Sequence, residues 1–216
     1  DRQRIDPNVL EGEVIRNADD PDQRPRVGRK WEMPRPDPIP SAEEYFTRLG
    51  DGAGNFSAQL TSEATGQPLR SLTGHEGGIL AAGFDPTGKR LATASADKQI
   101  ALWNARSGGR IRTLSGHKGA VVALAFSPDG KRIAIGSKEN TVVIWDVASR
   151  QKLKTLRGHT GDVCTVAFSP DGRWVASAGE DSTVKVWDSH TGKLIRSFRG
   201  HTGLVNSLVF RLDGRS

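Results

Sequence analysis

The sequence predicts an all-β fold of repeated four-stranded antiparallel sheets, and three observations carry that prediction. A step of 42 residues recurs through residues 74–216, with Gly-His at Gly74-His75, Gly116-His117, Gly158-His159 and Gly200-His201 and tryptophan at Trp103, Trp145 and Trp187. Each step holds four short runs rich in β-branched or apolar residues, divided by Gly, Pro, Asp, Asn and Ser turn chemistry. Seven of the eleven prolines lie in the first forty residues, so a segment of different character precedes the repeats. A fixed period decides architecture before any single motif does, because one supersecondary unit is being copied.

Residues 1–40 combine those prolines with eight Arg/Lys and nine Asp/Glu among few apolar side chains, a composition that builds no core. Proline fixes φ and pushes its predecessor toward extended backbone, so residues 31–40 read as an extended strap, solvated or pinned by Trp31, Met33 and Ile39. Ser41 stands three residues before Glu44, the capping-box spacing, with Tyr45, Phe46 and Leu49 as apolar positions and Gly50 as a stop. That spacing predicts a short helix over 42–49, inside a Pro- and charge-rich extension covering 1–56. The run Gly50-Asp51-Gly52-Ala53-Gly54-Asn55 follows no hydrophobic strand and precedes no lysine in phosphate-cradle register, so it reads as a hinge or turn.

The repeated module covers 57–216. Residues 57–61 and 69–72 give a degenerate strand pair, with Thr61 where the later units have tryptophan. In the second unit Val121 to Phe126, Arg132 to Ser137, Thr141 to Trp145 and Lys152 to Leu156 are the predicted strands. The first of these is apolar on both faces, as a strand packed between neighbouring sheets requires. The fourth carries Lys152 and Lys154, as the flanking units carry Arg110, Arg112, Lys193 and Arg196, and such charges suit an edge strand that resists pairing. Leu204 to Phe210 supply a further innermost strand. The inventory is two strands, three full sheets of four, and one more strand.

Gly-His at one end of each unit, with Trp145-Asp146, Trp187-Asp188 or Trp103-Asn104 at the other, resembles the WD-repeat β-propeller family over roughly residues 57–216. The resemblance implies a propeller of three complete four-stranded blades with partial blades at each end. It implies a hydrogen-bonded tetrad in each blade: His75, Thr93, Asp97 and Trp103 in the first, and His159, Ser177, Asp181 and Trp187 in the third. The second offers His117, Glu139 and Trp145 but Ile135 where the hydroxyl belongs, so its network is expected to be incomplete. Partners in that family dock on the face bearing the loops before the innermost strands and the turns ahead of the tetrad acid. Carried over by position, that face bears Ala96, Lys138 and Glu180 in turns and Gly78, Ala120, Asp162 and Leu204 near strand starts. Lys138, Asp162 and Glu180 are the candidate partner-binding residues.

A ring of seven such units, the size the resemblance most often implies, needs about 294 residues. The sequence is therefore expected to be a fragment of a longer protein, with missing blades supplied by the rest of that chain or by oligomerisation. A half-ring that closes by dimerising and a small ring closed by its own terminal strands are the alternatives. An open array leaves apolar faces uncovered at its ends.

Composition narrows the function classes. The net charge is +6, and residues 74–216 carry 21 Lys/Arg against 12 Asp/Glu. Much of that excess sits at repeated turns (Lys89-Arg90, Lys131-Arg132, Arg173) and outer strands without interleaved stacking aromatics, which argues against a nucleic-acid or acidic-ligand binder. The lone Cys164 rules out a disulfide within the chain and a Cys-based zinc site, and reads as a buried thiol. The longest apolar run, Ala120 to Phe126, falls short of the roughly 20 residues of a spanning helix. Asp1-Arg2-Gln3-Arg4 lead into no signal-peptide apolar stretch, so a cytoplasmic location is the expectation. His beside Asp or Glu and Ser has the ingredients of a hydrolytic triad, but catalysis needs one exposed constellation and this set recurs in every sheet. The four repeated histidines fall on successive units and do not converge on a metal, His190 has no evident chemical partner, and no cofactor is expected. What remains is a non-enzymatic scaffold for protein–protein interaction and complex assembly. The alternative is the accessory propeller domain of a larger kinase- or protease-linked enzyme.

Overall fold

A computed structural model describes residues 45–49, 56–62 and 67–211. All regular elements among them are strands. β1 (Tyr45–Leu49), β2 (Ala58–Ser62) and β3 (Pro68–Leu72) form a three-stranded sheet. Blade one is β4 (Ile79–Phe84), β5 (Arg90–Ser95), β6 (Ile100–Asn104) and β7 (Arg110–Leu114); blade two is β8 (Val121–Phe126), β9 (Arg132–Ser137), β10 (Thr141–Asp146) and β11 (Lys152–Arg157). Blade three is β12 (Val163–Phe168), β13 (Trp174–Gly179), β14 (Val184–Asp188) and β15 (Leu194–Phe198). Each blade is an antiparallel up-and-down sheet, and β8 packs between β4 and β12 as the innermost strand of the middle blade.

Two expectations are corrected. Tyr45–Leu49 is strand β1, not part of the helix expected over 42–49, and residues 42–44 lie outside the described residues. All five of its residues pair with β2, from Tyr45↔Ser62 to Leu49↔Ala58. A lone helix of eight residues is marginal in water, so β-favouring Tyr, Phe and Thr follow the available sheet edge. The degenerate N-terminal sheet thus has three strands where two were expected. At the other end, Leu204 to Phe210 run in strand position without a ladder, because no second strand lies beside them among the described residues. The strap and the glycine-rich run lie outside the described residues.

The core lies between blades, not within one. Ile100, Leu102 and Leu114 of blade one meet Val121, Ile133 and Trp145 of blade two, and Val142, Ile144 and Leu156 of blade two meet Val163, Val175 and Trp187 of blade three. Ala58, Leu60 and Leu72 close the same interface onto Leu91 and Trp103. Arginine staples cross these interfaces at the 42-residue step. Arg90 donates to the Gly130 carbonyl at 2.9 Å, and Arg132 donates to the Gly172 carbonyl and the Ser189 hydroxyl, both at 3.0 Å. Their guanidinium groups lie over Phe126 and Phe168, adding cation–π attraction to the bridge.

Candidate functional site

The repeated polar residues form chains inside each blade. In blade one the His75 Nδ1–H donates to Asp97 Oδ2 at 2.7 Å, which leaves Nε2 to accept from the Thr93 hydroxyl at 2.8 Å. Thr93 Oγ1 in turn accepts from the Trp103 indole N–H at 2.8 Å. Blade three repeats the chain through Asp181, His159, Ser177 and Trp187, with all three distances 2.8 Å. Burial works to raise the Asp181 carboxyl, but bonds from the Thr160 N–H, the Thr183 hydroxyl and N–H, and His159 outweigh it and hold it at about 2. Burial likewise lowers His159 against the pull of Asp181. Both ring nitrogens of His75 and His159 are engaged, an arrangement that orients the imidazoles and ties strands together instead of leaving these rings free to activate a nucleophile.

Blade two differs as a physical consequence of two side chains. Ile135 supplies no hydroxyl, so the Trp145 N–H donates directly to His117 Nε2 at 3.3 Å. Glu139 is one methylene longer than aspartate; its carboxylate accepts from the Lys118 N–H at 2.7 Å, as Asp97 and Asp181 accept from the equivalent Glu76 and Thr160 N–H groups, and also from the Gly119 N–H at 3.2 Å. His117 Nδ1 is left 3.6 Å from that carboxylate, buried and without a hydrogen bond. Burial, with Lys152 nearby, lowers the His117 pKa, and Glu139 opposes only in part.

The candidate partner-binding residues gather at the ends of blades two and three. In each blade a turn residue bonds through its backbone to the residue just before the innermost strand: Ala96 N to Gly78 O at 2.9 Å, Lys138 N to Ala120 O at 3.0 Å and Glu180 N to Asp162 O at 3.0 Å. Lys138 Nζ reaches across the blade boundary to Asp162 Oδ2 at 3.4 Å. Such an exposed pair contributes under about 1 kcal/mol, so its placement matters more than its stabilisation. Leu204, the fourth strand-start position, is exposed.

One feature of this face escapes sequence reasoning. Every innermost strand skips one residue of its ladder at the same step, at Leu80, Val122 and Cys164, and such a bulge re-aims a side chain. The apolar, two-sided pattern of these strands conceals it, since no polar residue marks the break. Cys164 is consequently half-buried where a buried thiol was expected, with Sγ 3.7 Å from the Asp162 carbonyl. Burial, then the carboxylates of Glu180 and Asp162, raise its pKa, which makes it a poor thiolate source. Among the described residues no group of three or more His, Cys, Asp or Glu is placed to hold a metal ion, and no helix is long and apolar enough to cross a membrane.

Four-stranded blades at a 42-residue step, sharing interblade cores and internal His–Asp–hydroxyl–Trp chains, define a WD-type β-propeller segment. The family model described as "WD domain, G-beta repeat" matches residues 66–104, 108–146 and 150–188, and the chain belongs to that WD40 family. Among solved structures it is similar to "Structure of U3-55K", at 29% identity and a TM-score of 0.61, over 62% of this chain and 43% of that chain. The match thus spans less than half of that neighbour's length. No curated protein matches.

Proposed function

We propose that this protein is a non-enzymatic scaffold that binds other proteins or peptides and assembles them into a complex, using the face that carries Lys138, Asp162 and Glu180. The observation that carries the reading is the division of labour between interior and surface. The nucleophile-like and base-like side chains at the repeated positions are buried in chains that tie strands together, as His75, Thr93, His159 and Ser177 illustrate. The solvent-facing chemistry lies on the turns: an exposed Lys138 paired across the blade boundary with Asp162, an exposed Glu180 and the bulged residues beside them. WD repeats are typical of interaction scaffolds, and rigid sheets presenting turns suit recognition, since the loops vary while the blades hold them in place.

Affinity capture with the wild-type chain and with a Lys138→Glu, Asp162→Lys, Glu180→Lys variant tests the assignment. Loss of the wild-type partners from the variant, at unchanged melting temperature, is the expected result. Equal recovery overturns the assignment of this face.

A further inference from the structure

We propose that the face carrying Lys138 is regulated by acidity, through a two-position turn in blade two that His117 resets when it gains a proton. The regulation rests on the assignment of Lys138 to the binding face; the turn itself rests only on the geometry of blade two.

Two buried side-chain atoms among the described residues lack a hydrogen bond, His117 Nδ1 and Ser137 Oγ, and both border the turn Lys138-Glu139-Asn140. Blade one satisfies the same two places. Ser95 Oγ donates to the Gly77 carbonyl at 2.9 Å and accepts from the Asp97 N–H at 3.1 Å, and the Asp97 carboxylate receives the His75 Nδ1–H at 2.7 Å. In blade two Glu139 Oε1 bonds the Lys118 and Gly119 N–H groups and stops 3.6 Å from His117 Nδ1. Buried polar groups left unpaired cost free energy, so a rearrangement that pairs one of them is close at hand.

Protonation of His117 tips the balance. The Trp145 N–H donates to Nε2, which fixes the neutral ring as the Nδ1–H tautomer. An added proton goes to Nε2 and sets two donors against each other across 3.3 Å. Ile135 places no oxygen between them, so the indole bond is lost, and the charged ring draws the Glu139 carboxylate onto its Nδ1–H. Blades one and three take up the same proton with their chains still connected. There the Thr93 or Ser177 oxygen accepts from the indole in either state, and the hydroxyl turns from donor to acceptor toward the imidazole.

The charged groups that bear on the ring are Lys152, from β11, and Glu139, from the β9–β10 turn; β9 and β10 bring Ile135 and Trp145, which do not titrate here. Lys152 donates to the Gly116 carbonyl at 2.7 Å and lies over the Trp145 ring. Burial, then Lys152, push the His117 pKa below the 6.5 of the free ring, so the change falls on the acid side of that value. Burial raises Glu139, but the Gly119 and Lys118 N–H groups and the charges of His117 and Lys152 outweigh it, so Glu139 is still ionised when the ring gains its proton.

The Glu139 carboxylate also ties the loop before β8 to the turn that bears Lys138, alongside the bond from the Lys138 N–H to the Ala120 carbonyl. Drawn to the ring, it withdraws from the Gly119 N–H, loosens that tie and moves the residue next to Lys138, whose amine reaches Asp162 in blade three.

NMR of the indole N–H groups between about pH 7.5 and about pH 5 tests the turn, and affinity capture over the same range tests what it regulates. The wild-type Trp145 signal is expected to move with the His117 ring titration while Trp103 and Trp187 do not follow it, and partner recovery is expected to fall about fivefold or more. Ile135→Thr restores the hydroxyl of blade one and is expected to hold both the Trp145 signal and the partners at acid pH. Glu139→Gln keeps the side chain's length without its charge and is expected to move the midpoint to lower pH, a check that stands even if Ile135→Thr fails to fold. A Trp145 signal that ignores the His117 titration, one that responds equally in Ile135→Thr, or a midpoint unmoved in Glu139→Gln overturns the proposal. Constant partner recovery across the range, where the Lys138→Glu, Asp162→Lys, Glu180→Lys variant loses the partners at neutral pH, overturns the regulation while the binding face stands. Partners retained by that variant overturn the face instead, and the indole signals still decide the turn.

Discussion

Replacing Ser177 with alanine isolates the contribution of the hydroxyl at the centre of a blade's polar chain. Ser177 is fully buried, and its Oγ accepts from the Trp187 indole and donates to His159 Nε2, each at 2.8 Å. The substitution leaves one buried donor and one buried acceptor without their partner, at a cost of about 1–3 kcal/mol each. Blade two shows what relaxation recovers. There the indole donates straight to the imidazole at 3.3 Å across an isoleucine, so one weakened bond re-forms. A net loss of about 2–3 kcal/mol remains, which for a domain of this size lowers the melting temperature by roughly 4–12 °C. Urea unfolding followed by far-UV circular dichroism measures the loss, and a Trp187→Phe background tests its origin. With the indole donor already gone, Ser177→Ala is expected to cost about 1 kcal/mol less than in the wild type. A loss under about 0.5 kcal/mol, or one unaffected by Trp187→Phe, refutes the claim that these residues serve as a stabilising chain.

Other expectations follow from the same geometry. Arg150 adopts a φ of 61° where the flanking units place Gly108 and Gly192 at 73° and 77°, so Arg150→Gly is expected to stabilise by roughly 0.5–1 kcal/mol in urea unfolding. Acid sensitivity has two windows. His117 and His159 have folded-state pKa values below the 6.5 of the free side chain, so the unfolded chain binds their protons first and stability falls as pH drops below about 6.5. Asp181, at about 2 against 3.8 unfolded, adds stability that is complete above about pH 4 and is lost down to about pH 2, readable as melting temperature against pH. A Cβ on Gly161 lies 2.9 Å from the Asp181 N and 3.0 Å from the Glu180 Cβ, so Gly161→Ala is expected to displace that turn, weakening partner capture along with thermal stability. The exchange Lys138→Asp with Asp162→Lys keeps an ion pair across blades two and three but inverts its polarity. Stability is expected to hold within about 0.5 kcal/mol while partner recovery falls.

Periodicity made most of the fold legible. The four strands expected in the second unit match β8 to β11 to within one residue at each end, because each lies between turn residues that recur every 42 positions. Fifteen strands were expected and fifteen are present among the described residues, yet they are distributed differently. Tyr45–Leu49 followed a sheet edge that local capping chemistry does not reveal, and Leu204 to Phe210 form no ladder because a strand's hydrogen bonds depend on a neighbour that its own sequence does not encode. The gap in blade two was readable at Ile135, but the added reach of Glu139 to the Gly119 N–H was not, since it depends on the length of one side chain in a folded turn. The cross-blade meeting of Lys138 with Asp162 and the bulges at Leu80, Val122 and Cys164 were hidden for a related reason: both arise from how blades and ladders register in space.

The central claim is that the repeated polar residues build the blades while the turns bind, and one paired comparison tests it most directly. Partner capture and thermal unfolding are measured side by side for Ser177→Ala and for the triple Lys138→Glu, Asp162→Lys, Glu180→Lys variant. The expected result is a crossed pattern: Ser177→Ala lowers the melting temperature but, below it, retains the partners, and the triple variant keeps the wild-type melting temperature and loses them. Retained partners in the triple variant, or their loss from a folded Ser177→Ala protein, would contradict the division between a structural interior and a binding rim.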